Sequence, residues 1–240
     1  MRLRLFKPAH GWSGFFTDLA IVVLGVLIAL GAQQAVDAWQ ARRDVADFRA
    51  AIDVELADNL QAYQGRMVQG ECLARKLDQL ADWQRDWRDG DGPALDGEIG
   101  RPLAFGLSFT VWRTGAAGIA ARMALKERLA YAGFYAALEG YDALRFREVD
   151  AWQGLYAYDG AARLSPPEVN ALRGLILSAR SVDRSMRLNW PGIQAAAAAL
   201  GIRVPATIAP FPDNGLCKQL KLRTAASRLR LHPGSNSAGA

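Results

Sequence analysis

Four acids and six aromatic residues crowd one stretch of this 240-residue chain: Glu139, Asp142, Glu148 and Asp150 lie among Tyr131, Tyr135, Tyr141, Trp152, Tyr156 and Tyr158. Two carboxylates facing each other across an aromatic cleft carry glycoside hydrolysis, which would make a cell-wall glycan the substrate. The same stretch also holds Arg145 and Arg147. Acids interleaved with bases at helical spacing usually make a solvated, ion-paired face, and aromatics at such spacings usually make core. The second reading is the stronger, so no catalytic residue is expected. The only histidines, His10 and His232, lie near the two ends, which leaves triads and zinc proteases without their usual residue. No phosphate-cradling Gly loop follows a strand.

Two further groups could bind or bond. In "DGDGPALDGE", Asp89, Asp91 and Asp96 could offer oxygens to calcium, but Pro93 takes a ligand position and Glu98 comes too early to close the loop. A polar loop is expected there, with no metal and no cofactor. Cys72 and Cys217 are the only cysteines, and without a nearby His they make no structural zinc site. In an oxidising compartment they could join, closing a loop of about 146 residues and contributing about 4–5 kcal/mol in the chain-entropy model. The alternative is two unrelated buried thiols.

The formal net charge of +5 is concentrated at one end. After Cys217 come Lys218, Lys221, Arg223, Arg228 and Arg230 with no acid, so the rest of the chain is close to neutral. Those five could meet anionic lipid headgroups or acidic glycan, with Leu220, Leu222, Leu229 and Leu231 as an apolar side. The alternative is a solvated tail. No nucleic-acid partner is expected.

What would position these groups is set by "TDLAIVVLGVLIALGAQQAVDAW", Thr17 to Trp39. Leu19 to Val36 carry no charge over 18 residues, a helix of about 27 Å against a hydrocarbon core of about 30 Å. Arg2, Arg4 and Lys7 precede it, with Trp12, Phe15 and Phe16 at interfacial positions, and both signs of charge follow from Asp37. The bias favours a cytoplasmic N-terminus and an extracytoplasmic domain. Ala29-Leu30-Gly31 has small residues where a signal peptidase reads, so cleavage stays open. A soluble core helix is the third reading. Apolar residues nevertheless recur at helical spacing through Trp39, Val45, Phe48, Ile52, Leu56 and Leu60 without a breaker, which favours an uncleaved signal anchor. Gly25 and Ala29 form a small-xxx-small pair that would admit a second membrane helix.

The basic start, "GWSGFF", the acid before "IVVLGVLIALGAQQAVDAW", and "VELADNL" at Val54 to Leu60 resemble a group of small bacterial inner-membrane proteins of unknown function, with one N-terminal span and a helical extracytoplasmic domain. The resemblance covers roughly the first 60 residues. It implies the topology and supplies no activity.

Beyond the anchor the pattern is helical throughout, and the absence of sustained period-two alternation argues against a sheet. The first helix is expected to reach about Gln69, and Leu73, Leu77, Leu80, Trp83 and Trp87 predict a second. Glycines 115, 118, 133 and 140 suggest two or three helices between Phe109 and Tyr158. "SPPE" at Ser165 to Glu168 is a capping box opening another helix, followed by a separate short one over Ile193 to Leu200. The expected fold is all-α: a tail over residues 1–14, a transmembrane helix over 15–36, an up-down helical periplasmic bundle over 37–217, and a basic, partly disordered tail over 218–240. Expected partners are the lipid bilayer and another envelope protein or a second copy. The function expected is a non-enzymatic interaction or accessory subunit of a cell-envelope complex. The alternatives are a ligand-sensing bundle signalling through a partner and, third, the glycan-acting enzyme.

Overall fold

The computed structural model describes residues 11–90, 92–203 and 214–223. The protein is all-α. Helix α1 (Gly11–Met67) is followed by α2 (Gly70–Arg88), strand β1 (Ala94–Leu95), α3 (Thr110–Gly115), a 3₁₀ turn over Ala120–Arg122, α4 (Leu125–Tyr156), α5 (Pro166–Ala199) and strand β2 (Leu222–Arg223).

Helix α1 has two halves of different character. From Phe15 to Gln40 every residue is exposed, and this half includes the uncharged run. The helix continues unbroken through Ala29-Leu30-Gly31 and Trp39. From Val45 on, the residues at three- and four-residue spacing (Val45, Phe48, Ile52, Leu56, Leu60 and Tyr63) are buried, the stripe expected of a helix that packs along one face.

The chain does not fold back after α1. Contacts from α1 to α4 climb in the same direction: Arg49 pairs with Glu127, the Tyr131 hydroxyl donates to Asp53 (2.8 Å), Tyr63 stacks on Tyr141 and Arg66 meets Glu148. Farther on, Trp83 of α2 meets the ring of Tyr158 just past α4. Helix α5 runs the other way, with its Val169 carbonyl accepting from Gln84, Arg180 on Asp78, Asp183 on Arg66 and Trp190 against Tyr63. The bundle therefore has three rods, with α1 and α2 sharing one, α4 parallel to it and α5 antiparallel. This differs from an up-down succession because the two residues between α1 and α2 keep the helical path: the Val68 N–H donates to the Gln64 carbonyl (3.1 Å), Gln69 has right-handed helical dihedrals, and the Leu73 N–H donates to the Gln69 carbonyl (3.0 Å).

Two hydrophobic cores stack along the rods. One gathers Phe48, Ile52, Leu56, Phe134, Leu138 and Met186, and the other Leu73, Leu77, Trp83, Trp152, Leu172 and Ile176. Helix α4 passes through Gly133 and Gly140 without a break, and α5 keeps Pro191 inside it rather than yielding a separate short helix. In both, buried residues on the far side of the breaker (Leu138 and Tyr141, Ile193 and Ala197) reward continuation, and tertiary burial outweighs a local preference of about 1–3 kcal/mol. The expected start of α5 is present, with Glu168 accepting from the Ser165 N–H (2.7 Å) and hydroxyl (2.6 Å).

The last described segment is folded six residues past the boundary expected at Cys217. Cys72 and Cys217 are joined, with Cα atoms 4.7 Å apart. Leu216 is buried, Ala94 and Leu95 pair antiparallel with Arg223 and Leu222, and the Asp96 N–H donates to the Lys221 carbonyl at 2.7 Å. This two-stranded ribbon is the sole sheet among the described residues. Gly215, at φ +73°, passes so close to Gly100 that a Cβ on Gly100 would overlap its backbone. Because the crosslink closes a separation of 145 residues, reduction in detergent should lower the urea midpoint of the full chain, by at most about 4–5 kcal/mol of stability. An unchanged midpoint would contradict that role.

Candidate functional site

The acids singled out by their spacing do not converge. At 100° per residue, Glu148 faces opposite to Glu139 and Asp150 on α4. Glu139 is exposed and bonded to Arg113 (3.0 Å), and Asp142 bonds Arg145 (2.7 Å). Glu148 is 1% exposed and takes both Nε and Nη2 of Arg66, at 2.8 and 2.6 Å. No two of them face each other across a cleft as glycoside hydrolysis requires.

Glu148 instead joins a charge network that draws on all three rods. Arg66 (α1) also bonds Asp183 (α5) at 3.0 Å, and Asp183 accepts from Arg187 at 2.7 Å. Two cations and two carboxylates make the set neutral. Burial opposes the Arg66 charge, but its bonds to Glu148 and Asp183 outweigh that and hold the guanidinium above its ordinary range. The Tyr63 and Tyr141 rings stack at 3.6 Å, and burial pushes both hydroxyls upward.

Beside Glu148 opens a cavity of about 200 Å³, lined by Arg101, Leu103, Glu148, Trp152, Gln153 and Tyr156. The Arg101 guanidinium lies over the Tyr156 ring, 5.6 Å from its centroid. The indole Nε1 of Trp152 is buried without a hydrogen-bond partner among the described residues, as is Nη1 of Arg66.

A second set of buried polar groups serves the extended strap between β1 and α3. The Gln69 side-chain amide donates to the Leu103 carbonyl (3.3 Å) and accepts its N–H (2.8 Å). Asn59 does the same for Ser108, at 2.7 and 2.8 Å. Each amide stands in for a β-strand neighbour, supplying a donor and an acceptor to one residue of a backbone that has no sheet. Glu55 accepts from the Ser108 hydroxyl (2.7 Å), the Val111 N–H (3.0 Å) and the Tyr135 hydroxyl (2.7 Å) at the start of α3. Burial works against its charge, but those bonds prevail and its carboxyl titrates below the ordinary range.

The remaining expected groups are dispersed. Gly25 and Ala29 share a face of the exposed half of α1, and nothing lies within 4 Å of a Cβ on Gly25. Lys218, Lys221 and Arg223 lie on the disulfide-bonded segment, with Arg223 on Asp96 (3.5 Å) and the Lys218 carbonyl accepting from buried Lys76 (2.7 Å). Roughly 50 Å of helix separates Trp39 from Cys72. Arg228 and Arg230 lie outside the described residues, as do Asp91, His10 and His232. In the supposed calcium loop Asp89 is bonded to Arg88, and among the described residues no group of three or more His, Cys, Asp or Glu converges.

Arg66, Glu55, Asn59 and Gln69 were not foreseen. A signal was available: they are polar residues at the spacing of the buried stripe Ile52, Leu56, Leu60 and Tyr63. Comparison with protein-family models, curated proteins and solved structures returned no match.

Two predictions follow from the buried charges. Arg66→Met strands buried Glu148, while Asp183 keeps Arg187, and should cost about 3–5 kcal/mol in denaturant unfolding, whereas Glu139→Ala on the surface should stay within about 0.5 kcal/mol. Glu55 is depressed in the folded state, so below its unfolded value near 4.5 the unfolded chain binds the extra proton. Its stabilisation is complete above that value and lost as pH falls through the folded one. The stability gap between the protein and Glu55→Gln should therefore be constant at neutral pH and narrow in acid, read by urea unfolding from pH 7 to 3.

Proposed function

We propose that this is a single-pass inner-membrane protein with a cytoplasmic N-terminus and a periplasmic helical domain, acting without catalysis as an interaction or accessory subunit of a cell-envelope complex. The observation that carries it is α1, one helix whose first half is apolar and uncovered and whose second half is core. A helix exposed from Phe15 to Gln40 over about 39 Å needs a bilayer or a partner around it. The basic flank before it supports the orientation, and the likeness of the first 60 residues to small inner-membrane proteins supports the topology. Gly25 and Ala29 would admit a second helix, from another copy or an envelope partner. With the anchor in this place, Lys218, Lys221 and Arg223 stand too far along the rods to reach the same bilayer, which leaves an acidic glycan or plain solvation for them, with Arg223 already on Asp96.

The second reading is a ligand sensor, favoured by the cavity beneath Arg101 and the unpartnered Trp152 indole. Its ligand would carry hydrogen-bond acceptors, as small carboxylates and sugars do. A panel of these should then include a compound that raises the melting temperature of the full chain in detergent, with the rise lost in Trp152→Phe. No rise across the panel would favour the accessory reading.

The topology is tested in whole cells with a membrane-impermeant maleimide. Labelling of Cys72 and Cys217 from outside only after reduction is expected. Labelling only after lysis, without reductant, would put the domain in the cytoplasm and overturn the proposal.

A further inference from the structure

The end of the bundle nearest the exposed half of α1 carries bases and uncovered leucines. Asp44, five residues past Trp39, bonds Arg122 at 3.3 Å, and Arg49 holds Glu127. These two pairs fix the start of α4 within about 8–15 Å of helix from Trp39. There Leu125 and Leu129, one turn apart, are each 60% exposed, and Lys126 between them is exposed. Arg42 and Arg43 lie on α1 at the same end and Arg128 on α4. Counting Arg49 and Arg122 too, the cations exceed Asp37, Asp44, Asp47 and Glu127 by two.

We propose that this end of the domain docks on the headgroups of the anchoring bilayer, with Leu125 entering the interface and Arg42, Arg43 and Lys126 meeting anionic phospholipid. The inference rests on the anchored topology proposed above. Its occupant follows from position and charge. If Trp39 lies at headgroup level, Arg42 and Arg43 are within side-chain reach of the surface, and Lys126, level with about residue 48 of α1, lies roughly 14 Å along the rod, a gap that a tilt of the domain toward α4 closes. Each base near an anionic surface is attracted to it, and an adjacent leucine adds apolar burial. The consequence is a domain held at a fixed tilt rather than free to swing on α1.

The test uses the full chain in nanodiscs of phosphatidylcholine alone and of phosphatidylcholine with an equal share of phosphatidylglycerol. Amide hydrogen exchange over residues 116–130 is followed by mass spectrometry. In the anionic discs it should slow by about fivefold or more, and 0.5 M salt or the double variant Leu125→Asp, Lys126→Glu should remove the difference. Both variant positions are exposed, and unchanged exchange over 131–155 checks that the bundle remains folded. A chain that stays in the discs but exchanges alike in both lipids overturns the docking alone. A chain that carbonate strips from the discs overturns the anchor and the docking with it.

Discussion

A guanidinium that is 1% exposed, Arg66, is the constraint around which the bundle is arranged. A charge taken out of water must be paired and hydrogen-bonded or it destabilises the fold by several kcal/mol. Its two carboxylate partners come one each from α4 and α5, so the pairing sets the longitudinal position of all three rods. Hydrophobic layers tolerate sliding by a turn, because one leucine replaces another. A planar fork that bonds Glu148 through two nitrogens does not. Arg187 then neutralises the second acid from solvent. The network lies at the junction of the two cores, where an error of register in either would break it.

A second constraint comes from the non-helical chain laid against the rods. Between β1 and α3 the backbone is extended and partly buried, with neither helix nor sheet to satisfy it. Gln69 and Asn59 supply those bonds from side chains, and Glu55 takes the free N–H groups at the head of α3. The disulfide and the two-residue ribbon do the same work for residues 214–223. Helix α1 thus carries three kinds of residue on one stripe: apolar ones for the core, one cation for register, and Asn59 and Glu55 for the strap, with Gln69 just past its end.

In the proposed arrangement the same helix is also the membrane anchor, and no linker separates the bilayer from the core. A partner that grips the span would then also orient the domain, since a helix unbroken from Gly11 to Met67 transmits rotation and tilt directly. An accessory subunit with a stiff stalk is suited to holding a fixed distance within a complex.

The sequence by itself determined the helical class, the uncharged opening run, the extents of the first two helices and the capped start of α5. Each depends on periodicity or on a local motif read within a few residues. It offered the pairing of Cys72 with Cys217 because no other cysteine competes. Only the tertiary structure decided that α2 continues α1 instead of reversing, that Gly133, Gly140 and Pro191 lie inside helices, and that Glu148 faces inward while Glu139 faces out. Those outcomes turn on which surfaces are buried by residues distant in sequence, and burial outweighs local propensity. The roles of Arg66, Asn59 and Gln69 were hidden for the same reason: a polar residue on an apolar stripe announces a partner, but that partner lies 34 to 117 positions away.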